Sequence, residues 1–268
     1  MAWVLPFIAL WACASLPEAS RRVGDATHTY ALAGADGPVV VFESGLGDGR
    51  DSWSGVFEPV SGFARAFAYD RAGYGGSHSS AALRDGATVV AELRRLLRAL
   101  DLAPPYLLVG HSLGGHFVEL FAREHPEEVA GVVFVDARHV DFSQRCVAQE
   151  VERCGVPWFV RWLMPAGARA ELAASARTEA QLRAAAPFPP IPVRVLSAGQ
   201  RPASMPNLRR EWARAQADLA RLSPRGSQET CDACGHYVQR DDPERVVRTI
   251  QEGVEELRSS AQVYRGGL

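Results

Sequence analysis

The chain has 268 residues, 47% of them hydrophobic and 22% charged, with a formal net charge of −2. That length suits one globular α/β domain with room for an insertion, and the charge gives no electrostatic basis for binding nucleic acid. All 29 basic residues are Arg, which excludes a catalytic lysine and Schiff-base chemistry.

Met1 to Leu16 is an apolar run with no charge before Glu18. It is shorter than the roughly 20 apolar residues a membrane span requires. It suits the core of a secretory signal, with Ala12-Cys13-Ala14 as a small-residue cleavage site. Leu10-Trp11-Ala12-Cys13 also reads as a lipoprotein box. We therefore expect residues 1–20 to be a signal peptide or N-terminal anchor. The protein would be exported, with peripheral membrane or lipid attachment as an option. A tethering helix or an apolar extension packed on the body are the structural alternatives. Beyond Cys13, an even number of cysteines remains: Cys146, Cys154, Cys231 and Cys234. In an exported protein these form disulfides, and three pairings are open. The Cys146–Cys154 spacing is too wide for a zinc knuckle, so no metal is expected.

Residues 17–37 read as a polar linker and an edge hairpin over Thr27 to Ala33. Pro38 to Glu43 is near-continuously apolar, as strands of parallel sheets are. A Gly-rich loop from Ser44 to Gly49 follows, then a short helix over Ser52 to Val60. A strand from Ala64 to Tyr69 runs into the turn-rich Asp70 to Ser77. Gly86 to Leu100 carries Val89, Val90, Leu93, Leu96, Leu97 and Leu100 on one face, the signature of an amphipathic helix. Tyr106 to Val109 is a buried strand, and Gly115 to Ala122 has helical spacing. Val129 to Val135 is another strand, ending at Asp136. Alternating strands and helices imply a parallel sheet covered on both faces. Residues 137–190 break this rhythm and read as a helical cap. Val193 to Ser197 resumes the sheet. Leu208 to Leu222 is a helix, Gly226 to Thr230 the last strand, and Asp242 to Leu257 a closing helix with Pro243 in its first turn. The core is then residues 24–136 and 191–268.

Between the Tyr106 strand and its helix lies Gly110-His111-Ser112-Leu113-Gly114-Gly115. G-x-S-x-G at a strand-to-helix turn lifts a serine Oγ clear of the sheet edge, and glycines are needed where strand and helix crowd together. Glu43-Ser44-Gly45-Leu46-Gly47, Tyr69-Asp70-Arg71-Ala72-Gly73-Tyr74-Gly75 and Gly235-His236-Tyr237 accompany it in order. With these four motifs the chain resembles the α/β-hydrolase superfamily over about residues 38–258. The resemblance implies an α/β-hydrolase fold, with a mostly parallel sheet of eight strands, helices on both faces and a cap after the sixth strand. It also implies a serine nucleophile, a late histidine, and no metal or organic cofactor.

In this chain order the base follows the acid, which follows the nucleophile. Ser112 is then the nucleophile and His236 the base, since only His139 and His236 lie beyond the elbow and its helix. The acid is open. The usual place after the seventh strand reads Ser197-Ala198-Gly199-Gln200-Arg201, without a carboxylate. Some lipases of the superfamily use the end of the sixth strand, where Asp136 stands; Asp141 and Asp218 are the alternatives. The oxyanion hole would be the backbone N–H groups of Leu46 and Leu113. Asp70-Arg71 reads as an ion pair or turn that fixes loops. Trp158, Phe159, Trp162, Leu163 and Met164 line an acyl pocket or form the cap's own core, with Trp158 and Trp162 as the candidate substrate contacts. The expected function is cleavage of a small-molecule carboxylic ester through an acyl-enzyme. The alternatives are an amide or small-peptide hydrolase, an acyltransferase, or a non-catalytic binding protein on this scaffold.

Overall fold

A computed structural model of the protein describes residues 15–34, 37–79, 83–151, 155–156 and 158–266; at 158–159 and 260–266 it describes backbone only. The Met1 to Ala14 part of the apolar N-terminus, with Cys13, lies outside the described residues, as do Cys154 and the side chains of Trp158 and Phe159.

The strands are β1 (Ala19–Val23), β2 (Ala26–Ala33), β3 (Val39–Glu43), β4 (Arg65–Tyr69), β5 (Tyr106–His111), β6 (Val129–Val135), β7 (Val193–Ala198) and β8 (Gly226–Cys231). They form one sheet in the order β1-β2-β4-β3-β5-β6-β7-β8. The β1–β2 and β2–β4 pairings are antiparallel and the rest parallel. The helices are α1 (Ser54–Ser61), α2 (Gly86–Ala99), α3 (Gly114–Glu124), α4 (Phe142–Ala148), α5 (Trp158–Leu163), α6 (Ala166–Ala184), α7 (Pro206–Ala220), α8 (Val238–Asp241) and α9 (Pro243–Gly266). The central strands read as unbroken apolar runs because both faces are covered. Along β3, Val39 and Val41 join a core with Leu93, Leu97 and Phe121 of α2 and α3, while Val40 and Phe42 join one with Val56, Phe57, Val246 and Ile250 of α1 and α9. The side-chain period of two thus feeds two separate cores.

Residues 15–20, assigned from sequence to the N-terminal leader, belong to the folded body. Leu16 is buried and its N–H donates to Asp51; Glu18 pairs with Arg50; Ala19 opens β1. The outer strand β1 carries no apolar alternation because it is exposed along most of its length, and burial begins at β2.

Between β6 and β7 the described chain is helical, with α4, α5 and α6. Helix α6 closes down on the loop after β4. Gly73 and Gly167 meet backbone to backbone there, and Gly167 N–H donates to the Gly73 carbonyl at 3.2 Å. A buried charge network fastens this contact. Arg71 donates to Glu171 of α6 at 2.7 and 3.0 Å, to Glu43 at the end of β3 at 2.7 Å, and to the carbonyls of Ser44 and Gly45 at 2.7 and 2.9 Å. Tyr74 and Tyr69 donate to Glu171 and Glu43 at 2.6 Å each. Arg71 does not pair with its neighbour Asp70, which instead holds Arg50. Arg71→Met should leave Glu43 and Glu171 buried without their cation, at a cost of about 3–5 kcal/mol. The calorimetric midpoint should drop by about 6 °C or more; an unchanged midpoint would mean the network contributes nothing to stability.

Candidate active site

The turn from β5 to α3 forces Ser112 into the left-handed region, at φ +52°, where a residue with a Cβ persists only if its surroundings over-determine it. They do so here. The Ser112 N–H donates to Val135, and its carbonyl accepts from Gly115 at 3.1 Å and Arg138 at 2.9 Å. A Cβ on Gly114 would stand 2.4 Å from the Glu43 carbonyl oxygen, and one on Gly110 would stand 2.7 Å from Val118. Ser112 thus projects at the carboxyl edge of the sheet, where open parallel sheets place their sites.

Three residues far apart in sequence meet at this edge. Ser112 Oγ is 2.9 Å from His236 Nε2, and His236 Nδ1 is 2.6 Å from Asp136 Oδ2. A carboxylate can only accept, so Nδ1 carries the proton and the lone pair of the neutral ring at Nε2 faces the serine hydroxyl. Asp136 is fully buried, ends β6 at φ +41°, and has further donors. Ala198 N–H reaches Oδ1 at 3.0 Å, Trp212 Nε1–H reaches the same oxygen at 2.8 Å, and Arg201 reaches Oδ2. Burial alone would push this carboxyl upward; the His236 hydrogen bond and the Arg201 charge hold it below the ordinary carboxylate value.

The other carboxylates considered for this place are elsewhere. Asp141 faces Arg145 and Arg183, and Asp218 is held by Arg145 at 2.6 Å and Arg221 at 2.8 Å. His139 lies beside Asp141. Trp212 and Arg201 went unnoticed in the sequence. The only available signal was Arg201 standing where a carboxylate was sought.

His236 is delivered by the loop after β8. The disulfide Cys231–Cys234 braces that loop, and its carbonyls at 231 and 234 accept from Gly199 and Gln200 N–H at 2.9 Å each. Cys146 is disulfide-bonded as well. His111 adds a second brace, its Nε2 lying 2.9 Å from the His236 carbonyl. A carbonyl accepts, so His111 carries its proton on Nε2, and Nδ1 has no hydrogen-bond partner, Asp48 lying 4.0 Å away.

The loop after β3 passes directly over the serine, a Cβ on Gly45 falling 3.2 Å from Ser112 Cβ. Leu46 and Leu113 pack in one small cluster with Val89 and Phe117. Both line a cavity of about 680 Å³ that also takes in Ser112 and His236. Its apolar wall comes from Phe142, Leu172, Leu208 and Trp212. Trp162 is not part of it. That side chain is 82% exposed and its neighbour Leu163 87% exposed, which corrects the expectation of a Trp162 contact with substrate. Aromatic residues at helical spacing line a pocket only where another element covers them, and nothing in the described structure covers Trp162. Trp158 has its backbone in the same short helix, and its side chain lies outside the described residues.

The fold and this constellation define a hydrolase-type site on a doubly covered sheet. The family model described as the alpha/beta hydrolase fold matches residues 38–181. The uncharacterised protein YqjL of Bacillus subtilis (strain 168) is 30% identical over 221 residues, 82% of this chain and 85% of that one. The chain belongs to the alpha/beta hydrolase fold family. Two solved structures share the fold. A thermophilic esterase from Thermogutta terrifontis gives a TM-score of 0.69 at 21% identity over 90% of this chain and 98% of that one. The enol-lactonase from Burkholderia xenovorans LB400 gives 0.65 at 17% identity over 88% and 100%. Among the described residues, no helix is long and apolar enough to cross a membrane.

Burial, with a smaller push from His236, holds the His111 imidazole down to about 3 from 6.5. Between those values the unfolded chain binds a proton that the folded protein refuses. The ring's contribution to stability is therefore complete above pH 6.5 and is lost as pH falls toward 3. His111→Gln keeps a donor for the His236 carbonyl but cannot titrate. It should remove about 1.4 kcal/mol per pH unit from the acid dependence of urea unfolding between about pH 6 and 4. Parallel curves for variant and wild type would show that this imidazole is not held neutral.

Proposed function

We propose that the protein is a serine hydrolase that cleaves carboxylic esters of small molecules through an acyl-enzyme. The observation that carries this reading is the unbroken chain from Ser112 Oγ through His236 to buried Asp136, opening on one cavity. Ser112 Oγ attacks the ester carbonyl carbon while its proton passes to His236 Nε2. The carbonyl oxygen takes up negative charge, which the N–H groups of Leu46 and Leu113 stabilise. His236 then gives the proton to the leaving alkoxide, and the alcohol departs. Water repeats the sequence on the acyl-enzyme: its proton goes to His236, its oxygen to carbon, and the proton returns to Ser112 as the carboxylic acid leaves. Asp136 holds the Nδ1–H tautomer and answers the imidazolium charge. Arg201 and Trp212 keep Asp136 ionised and in place. The disulfide-bonded Cys231, Cys234 and Cys146 suit an oxidising compartment; together with the apolar run at Met1 to Leu16 they support export.

A fluorophosphonate probe should label Ser112, and Ser112→Ala should abolish both labelling and turnover of p-nitrophenyl esters. Asp136→Asn should lower kcat by about ten-thousand-fold in a folded protein. Undiminished hydrolysis in Ser112→Ala would sink the assignment, and a mild effect of Asp136→Asn would remove Asp136 from its role.

A further inference from the structure

The cavity beside Ser112 carries polar groups that ester cleavage does not use. Arg138 lies two residues past Asp136, and its N–H donates to the Ser112 carbonyl at 2.9 Å. Its side chain lines the cavity, with the guanidinium over the Phe142 ring at 5.2 Å. One of its five N–H donors goes to Ser143 Oγ at 2.7 Å, and that hydroxyl donates onward to Glu179. Among the described residues no carboxylate pairs with it directly, whereas the neighbouring Arg201 is paired to Asp136. His116 lines the same cavity. It is 1% exposed, with both ring nitrogens out of reach of water and the His139 backbone acting on the ring. Burial and the adjacent Arg138 charge press its imidazole down to about 3, so it is a neutral ring. Arg161 and Arg169 stand exposed at the cavity's rim.

A guanidinium withdrawn from water that reaches its nearest carboxylate, Glu179, only through the Ser143 hydroxyl is an unfinished arrangement, even though Glu179 lines the same cavity. Its charge is incompletely answered as it stands, and an anion supplied from outside would answer it. A carboxylate matches the planar fork of arginine. Building on the ester-hydrolase reading, we infer that Arg138 forms a carboxylate subsite, and that the substrate is an ester whose acyl part carries a free carboxylate. Phe142, Leu172 and Leu208 leave an apolar wall for the rest of the substrate.

The test compares 4-nitrophenyl monoglutarate with 4-nitrophenyl valerate, esters of equal chain length that differ in the terminal carboxylate, after subtraction of the spontaneous rates. The wild-type protein should favour the anionic ester by about tenfold or more in kcat/KM, and added salt should narrow the gap. Arg138→Gln should bring the ratio close to one, mainly through KM for the monoglutarate, while Arg138→Lys should keep part of the preference. A wild-type ratio near one, or a preference unchanged in Arg138→Gln, overturns the subsite. Should neither ester be hydrolysed, the hydrolase reading fails by itself, and calorimetry with glutarate decides the subsite separately. Binding by the wild-type protein that disappears in Arg138→Gln upholds it, and no binding overturns it. Inorganic phosphate bound more tightly than glutarate would overturn the carboxylate assignment.

Discussion

A carboxylate with no access to water ends β6, and its charge must be answered by the protein. Asp136 collects donors from four places: His236 after β8, the Ala198 backbone at the end of β7, Arg201 just beyond, and Trp212 on α7. Left unpaired, such a buried charge would cost several kcal/mol or lose its ionisation. The carboxyl edge of the sheet is therefore assembled around one anion. Under the proposed mechanism the same anion selects the tautomer of His236, so the group that organises this edge also organises the proton transfer.

The other organising charge is Arg71. It binds β3 through Glu43, the loop over the serine through the Ser44 and Gly45 carbonyls, and helix α6 through Glu171. A guanidinium can do this because its donors diverge in a plane. The consequence is mechanical. The helical segment between β6 and β7 and the loop carrying Leu46 share one buried cation, so displacing α6 would disturb the loop beside Ser112. Under the proposed mechanism, cavity shape and oxyanion geometry are coupled through a residue that lies outside the Ser112–His236–Asp136 chain.

The polar lining of the cavity gives the site a sign. Arg138 follows Asp136 by two residues, past the turn at φ +41° that presents the carboxylate to His236, and it lines the same cavity. Under the proposed carboxylate subsite, substrate orientation is tied to the turn at the end of β6, which also forms part of the reacting edge.

Much of this was legible in the chain alone. Gly-x-Ser-x-Gly between an apolar run and a helical period located Ser112, because the crowding of strand against helix constrains neighbouring residue types directly. The alternation of strands and helices specified the covered parallel sheet, because burial on both faces leaves continuous apolar runs. For the proposed triad, His236 followed from chain order. The acid did not, since Asp136, Asp141 and Asp218 are equivalent until their surroundings are known; Arg145, Arg183 and Arg221 occupy two of them, and only the fold brings Ala198, Arg201 and Trp212 to the third. Trp162 misled because aromatic spacing on a helix says nothing about whether another element lies over it. Local constraints are written in neighbouring residues, whereas the pairing of buried charges and the walls of a cavity depend on which distant segments meet, and that was decided only in three dimensions.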